Sequence, residues 1–250
     1  MGLVPVTNTQ TMAEDSAKPK GDPDTKNSAD TKDSADTKDS ADPAFWETRY
    51  RKGVTPWEPG SASAYLRGAL PALLGSFTLP ATPPASLVRA RALVPGCGSG
   101  HDARLLADAG LDVLAIDYAP GAVELARPVL GPHAACLRQA DFFDFAEAID
   151  AQGRPGFELQ FERALLCALP RQEWPRWATR SAELVRSAGV LAGLFYIDDN
   201  LRGPPFGIDR ALLHALLDPH FVLEQSTPLQ AQESPAIFKG KEHWMVWRRR

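Results

Sequence analysis

The sequence predicts a doubly wound α/β fold, and three features carry that expectation. From residue 92 onward, short apolar runs alternate with stretches of helical periodicity, as in parallel strands joined by helical crossovers. A glycine loop, with Gly96, Gly98 and Gly100 in LVPGCGSGHD, directly follows the first apolar run. The last two runs have no helix between them and are expected to pair antiparallel at one edge. The expected sheet is mostly parallel and has seven strands.

Taken in order, RALVPG is a short buried strand and DARLLADAG a helix closed by Gly110. LDVLAIDY is the second strand, ending at Asp117, and PGAVELARPVL is a helix opened by proline and glycine. AACLRQADFF is the third strand, with Asp141 at its end. FELQFERALLCALP and GVLAGLFYI are the fourth and fifth, DRALLHALLDP is a helix, and FVLEQS and HWMVWRR complete the sheet. Crossovers between the parallel strands are right-handed.

Ahead of this region the composition changes. Every Phe, Trp and Tyr lies at or beyond Phe45, and the leader carries three near-identical hexapeptides, TKNSAD, TKDSAD and TKDSAD, over Thr25–Asp42. So little apolar surface cannot offset the entropy of ordering, so residues 1–43 are expected to be disordered and 44–250 to form one domain. Five Lys against nine acids give the leader the whole chain's net charge of −4, leaving the domain neutral. A neutral domain argues against nucleic acid as partner.

There is no apolar run long enough for a membrane span, and MGLVPVTNTQTMAEDS is a poor signal peptide. Cys97, Cys136 and Cys167 are scattered and suit a reducing cytoplasm. No histidine spacing suggests a metal. A monomer is expected.

The loop decides the ligand. A dinucleotide fingerprint would place its third glycine at position 101, which is His101, and a P-loop would need Lys and Ser or Thr after the last glycine. Phosphate readings therefore weaken. Asp117, 21 residues beyond Gly96, can accept both hydroxyls of a ribose. Asp141 and Phe142 suit an adenine, the acid accepting from its amine and the ring covering its face. An adenosine ligand without pyrophosphate points to S-adenosyl-L-methionine. Trp46 and Tyr50, four residues apart, share a helical face, and the prolines of TPWEPG put Trp57 on a loop. Such rings attract a sulfonium by roughly 0.5–2 kcal/mol.

These strings resemble the thiopurine S-methyltransferase family, most closely its thiol and halide methyltransferase branch. The carriers are FWETRYRKGVTPWEPG, RALVPGCGSGHD, LCALP, RGPPFGID and KGKEHWMVW, and the likeness spans nearly all of 45–248. The resemblance implies a class I, Rossmann-like methyltransferase fold using S-adenosyl-L-methionine. It implies that Trp46 and Trp57 line the methionine side, Gly96 lies under the cofactor with Gly98 beside it, Asp117 holds the ribose, and Asp141 and Phe142 meet the adenine. Two positions depart from plant members of the branch: Tyr50 stands for a tryptophan, and Arg163 for a tyrosine. Mammalian thiopurine enzymes also lack the PGCGSG form of the loop. Tyr50 and Arg163 are counted with the cofactor set. Arg163 has two alternatives, attracting an anionic acceptor or pairing with Glu162 or Asp141.

The expected chemistry is methyl transfer to a small soft nucleophile: thiol, hydrosulfide, thiocyanate, halide or thiopurine. A thiol is already partly thiolate near neutrality, and halide has no proton to lose. No general-base pair is evident, so no catalytic residue is assigned. Tyr196 and Phe206 are candidates for the acceptor wall, and Cys97 and Cys167 read as buried packing residues. Two other readings stay open at this level, a nucleotide-dependent oxidoreductase and a cofactor-binding regulator without catalysis.

Overall fold

The computed structural model describes residues 40–77, 89–145, 156–200 and 202–250. The hexapeptide repeats lie outside the described residues, apart from their last three positions. Two helices come first, α1 (Pro43–Arg51) and α2 (Ala64–Gly75). The alternating core follows: β1 (Arg91–Pro95), α3 (His101–Asp108), β2 (Asp112–Asp117), α4 (Pro120–Leu130), β3 (Leu137–Gln139) and β4 (Phe157–Arg163). The chain ends with α5 (Trp174–Leu184), β5 (Val185–Tyr196), α6 (Arg210–Leu217), β6 (Phe221–Pro228) and β7 (Glu242–Arg249).

The seven strands run in the order β3-β2-β1-β4-β5-β7-β6. β1 pairs in parallel with β2 and β4, β2 with β3, and β4 with β5. β7 is antiparallel to both β5 and β6, the expected edge pair. Strand order reverses between β1 and β4, so the carboxyl ends of β1, β2 and β4 open on the crevice where such sheets take ligands.

Strand periodicity sorts side chains into two layers. Ala92 and Val94 of β1 pack with Leu66 of α2, Leu106 of α3 and Ala126 of α4. Leu93, between them, faces the opposite side with Leu114, Trp174 and Trp177 of α5, and Leu213 of α6. All five residues of β1 are buried, which is why it reads as an uninterrupted apolar run.

Several boundaries depart from expectation. β3 is only three residues long, preceded by a 3-10 segment over Gly131–Cys136, and Asp141 falls beyond it. As an edge strand with one neighbour, it pairs only through Leu137, Arg138 and Gln139, and of these only Leu137 is buried. β4 stops at Arg163 instead of continuing through ALLCALP. Ala164 takes a left-handed φ of 63°, and the Glu162 carboxylate accepts from the N–H groups of Leu165 and Leu166, each at 2.9 Å. Those bonds bend the chain away from the sheet. α2 and α5 lie outside the expected element order. α2 carries Gly68 and Pro71 in its interior, which weaken its helical signature.

Candidate active site

The crevice holds a cavity of about 510 Å³. Its floor is the glycine loop after β1, through Gly96, Cys97 and Ser99. Gly98, expected beside the cofactor, supports the floor from outside the lining. Gly96 and Gly98 adopt left-handed φ values of 59° and 51°. These values favour glycine, and at Gly98 a Cβ would overlap the Glu58 carboxylate and sit 3.2 Å from the Tyr50 hydroxyl.

Asp117 ends β2 and is buried at 6% exposure. One carboxylate oxygen accepts from the Gly98 N–H at 3.1 Å, the other from the Ala119 N–H at 3.0 Å. Burial outweighs these bonds, with the nearby Glu58 adding to it, and pushes the Asp117 pKa up to about 6. Asp141, Phe142 and Phe143 line the wall beyond β3. Asp141 is exposed and accepts from the Phe143 N–H at 2.8 Å, while Phe142 is buried edge-on to Phe143.

The roof comes from the N-terminal segment. α1 places Trp46 and Tyr50 one turn apart, and the proline-broken loop brings Trp57 against both. Trp57 lies 5.3 Å from Trp46 and 6.0 Å from Tyr50, both pairs edge to face. The three expected aromatic residues therefore meet. Burial, then the charges of Asp117 and Glu58, raise the Tyr50 phenol well above its ordinary range, so it stays protonated.

Glu58, in the middle of TPWEPG, is a cavity residue that the sequence reading passed over. It accepts from the Ser99 N–H at 2.9 Å and from the Ser99 hydroxyl. An acid between two prolines and beside Trp57 was the available signal. Among the described residues, every hydrogen-bond partner of the Glu58 and Asp117 carboxylates is an uncharged N–H or hydroxyl.

Arg163 lines the cavity but pairs with Asp102, at 2.7 Å, and not with Glu162 or Asp141. Asp102, in the first turn of α3, also accepts from the Ser63 N–H at 2.7 Å, so one buried carboxylate fixes both segments. Glu162 points backward into the Leu165–Leu166 turn, where burial pushes its pKa up to about 7.

Tyr196 and Phe206 are absent from the lining of the cavity. The Tyr196 hydroxyl donates to Asp198 at 2.6 Å, and Asp198 also accepts from Lys241 at 2.7 Å. Phe206 is 1% exposed within the layer of α5 and α6. The RGPPFG string instead contributes Pro204 and Pro205 to the wall, with Ile237 and Phe238 beside them. The ring of Tyr196, at the end of β5, and that of Phe206, in the segment after it, both pack into the interior, so the two aromatic positions stand one layer back. Burial holds the thiols of Cys97 and Cys167 well above their ordinary range, which suits packing and not nucleophilic attack.

The chain over residues 41–250 matches the thiopurine S-methyltransferase family. It is 30% identical over 207 residues to thiocyanate methyltransferase 1 of Arabidopsis thaliana, covering 82% of this chain and 84% of that protein. It is 29% identical over 177 residues to the probable thiol methyltransferase 2 of the same plant, covering 70% and 71%. In fold it is similar to the Burkholderia thailandensis 1,6-didemethyltoxoflavin-N1-methyltransferase, solved with S-adenosylhomocysteine. That match has a TM-score of 0.58 and 17% identity, and it covers 94% of this chain and 93% of that one. Neither an oxidoreductase nor a non-catalytic regulator finds support among these relatives. The cavity fits the cofactor that the family uses: bare glycine backbone, the Asp117 and Glu58 carboxylates with no cation paired to them among the described residues, and three clustered rings suit an adenosine joined to a cationic sulfur. The chain belongs to the thiopurine S-methyltransferase family and is an S-adenosyl-L-methionine-dependent methyltransferase.

Proposed function

We propose that this enzyme methylates a small soft nucleophile: a thiol, hydrosulfide, thiocyanate, halide or thiopurine sulfur. The observation that carries the reading is the apolar end of the cavity. There Trp57, Ala164, Cys167, Ile237 and Phe238 line the cavity, with Pro204 and Pro205 along the same wall and Tyr196 packed behind them. Such a wall strips water from a polarizable anion and offers nothing to orient a hard amine or alcohol. The relatives named for thiocyanate and thiol acceptors support the same class.

When bound, S-adenosyl-L-methionine supplies a methyl group on a positively charged sulfur that an acceptor can displace. In our reading Asp117 accepts the ribose hydroxyls, Asp141 and Phe142 meet the adenine, and Gly96 and Gly98 give the methionine portion bare backbone. Trp46, Tyr50 and Trp57 turn their ring faces to the sulfonium. Arg163 borders the cofactor with one nitrogen committed to Asp102. Tyr196 and Phe206 brace the acceptor wall from behind. Tyr196 packs 5.6 Å from Phe238 with the rings tilted at 54°, and the Phe206 N–H donates to the Cys167 carbonyl at 2.7 Å. The rest of the reading is a cytoplasmic monomer, with no nucleic-acid partner, whose catalysis does not need the repeat leader. No described helix is long and apolar enough to cross a membrane.

The test is an acceptor panel with labelled methyl donor. Iodide, hydrosulfide, thiocyanate or an alkyl thiol is expected to be methylated, and simple alcohols and amines are not. Between pH 7 and about pH 8.5 the rate with an alkyl thiol should climb with its thiolate fraction, while the iodide rate stays nearly flat. Parallel rises would mean that an enzyme group controls the step. His101, which lines the cavity at the start of α3, would then be the first residue to replace.

A further inference from the structure

The geometry points to Glu58 as the residue that recognises the cofactor's α-ammonium group, a role that rests on the cofactor reading of this cavity. Strand order supplies the first argument. The adenine wall lies beyond β3 and the ribose acid ends β2, so a ligand running on across the sheet next meets the loop after β1. Glu58 is held above that loop, on Ser99. The amino-acid end of the cofactor must pass it.

Charge supplies the second. S-adenosyl-L-methionine carries two positive groups, the sulfonium and the ammonium. The aromatic rings suit the sulfonium. Asp117 is committed to the Gly98 and Ala119 N–H groups and stands at the ribose end. Of the other carboxylates that line the cavity, Asp102 pairs with Arg163, Glu173 pairs with Arg176 and Asp141 stands at the adenine end. Glu58 is then left for the ammonium, and among the described residues no ion pair joins it to a lysine or arginine. It is half-buried, so a cation reaching it meets a partly desolvated anion, where pairing is stronger than in bulk water.

Backbone supplies the third. Gly98 leaves its Cβ space to the Glu58 carboxylate, so the glycine loop is shaped around this side chain as well as around a ligand. The two Ser99 bonds fix the carboxylate's position before the cofactor arrives, which lowers the ordering cost of binding.

A purely structural role, Glu58 as a clasp joining the roof to the floor, makes a different prediction. The experiment is calorimetry of wild type, Glu58→Gln and Glu58→Asp with two ligands, S-adenosylhomocysteine and 5′-methylthioadenosine. The second shares the thioether-linked adenosine but has no ammonium. Glu58→Gln keeps an oxygen for the Ser99 N–H and removes the charge. The expected result is a loss of about tenfold or more for S-adenosylhomocysteine, with 5′-methylthioadenosine within about twofold of wild type. Glu58→Asp should recover part of the loss. Equal losses for both ligands would make Glu58 a clasp and overturn the proposal, as would no loss for either. If wild type bound neither ligand, the cofactor reading of the cavity would itself fall, a result distinct from both. Thermal melting of each variant without ligand confirms that the comparison is made on folded protein.

Discussion

The roof and the sheet of this enzyme are held by different forces. In β1 and β4 nearly every side chain is buried, and the two apolar layers lock the strands between helices. In α1 no residue is fully buried. Its attachments are polar: Glu47 accepts from the Gly121 N–H at 2.6 Å, and Arg51 bridges Glu47 and Glu124, each at 2.5 Å. Farther along, Glu58 holds Ser99 and Trp57 leans on Trp46 and Tyr50. Hydrophobic burial makes the sheet indifferent to ligand, whereas the roof keeps its rings facing a cavity that a ligand would fill. Stability and affinity should therefore respond to different residues.

The largest separation is expected from Leu93, fully buried at the centre of β1. Leu93→Ala should cost about 2–5 kcal/mol, lowering the melting temperature of the ligand-free protein by roughly 5–15 °C. A melting point unchanged by this substitution would break the division at its root. Asp117→Ala should do the reverse. The cofactor affinity is expected to fall roughly tenfold to 150-fold, read by calorimetry, with the protein still folded and a smaller fall in melting temperature than Leu93→Ala gives.

The same residue sets a pH dependence. The Asp117 pKa, pushed up to about 6 by burial, lies above its unfolded value, so its ionisation disfavours the folded state as pH rises through 6. Cofactor binding needs the ionised form and has the opposite slope. Affinity should be level above pH 7 and weaken by roughly tenfold at pH 5, and Asp117→Ala should flatten that curve. Glu162 offers a control inside the body. With a pKa near 7 it should make the wild type less stable as pH rises through neutrality, a slope that Glu162→Gln removes without changing cofactor affinity.

Smaller effects sharpen the roof. Trp57→Leu should weaken S-adenosylmethionine more than S-adenosylhomocysteine, by about twofold to 30-fold, because only the former carries the sulfonium. Equal weakening would assign Trp57 to shape alone. The smallest effect concerns the chain's beginning. The Ser40 carbonyl accepts from the Trp46 indole at 2.9 Å, and Asp42 caps α1 through the Ala44 N–H at 2.9 Å. A protein starting at Ser40 should match the full chain in affinity. One starting at Ala44 loses the cap, worth about 0.5–2 kcal/mol of helix stability, and should bind slightly more weakly.

What the sequence disclosed follows the same line. The sheet was legible because buried strands write themselves as apolar runs, and the glycines and Asp117 because backbone shape and strand ends are local properties. Trp46, Tyr50 and Trp57 were legible through spacing and the prolines that break the helix. Glu58 was not, because it meets Ser99, 41 residues away, and because its lack of a cation partner among the described residues is visible only in three dimensions. Tyr196 and Phe206 stand one layer behind the cavity lining, since the alternation of β5 and the segment after it decide direction and the residue type does not. Arg163 found Asp102 across 61 positions, a pairing no local pattern encodes.

The clasp between Arg51 and Glu124 has a kinetic consequence. The three rings and Glu58 all descend from one strap, so in our reading of the site a spent cofactor would leave when that strap lifts or by sliding from beneath it. An exposed ion pair on the strap's outer edge weakens with salt, and the apolar contacts within do not. Raising ionic strength should then shorten the residence time of S-adenosylhomocysteine, and where product escape limits turnover the enzyme would run faster in salt than in dilute buffer.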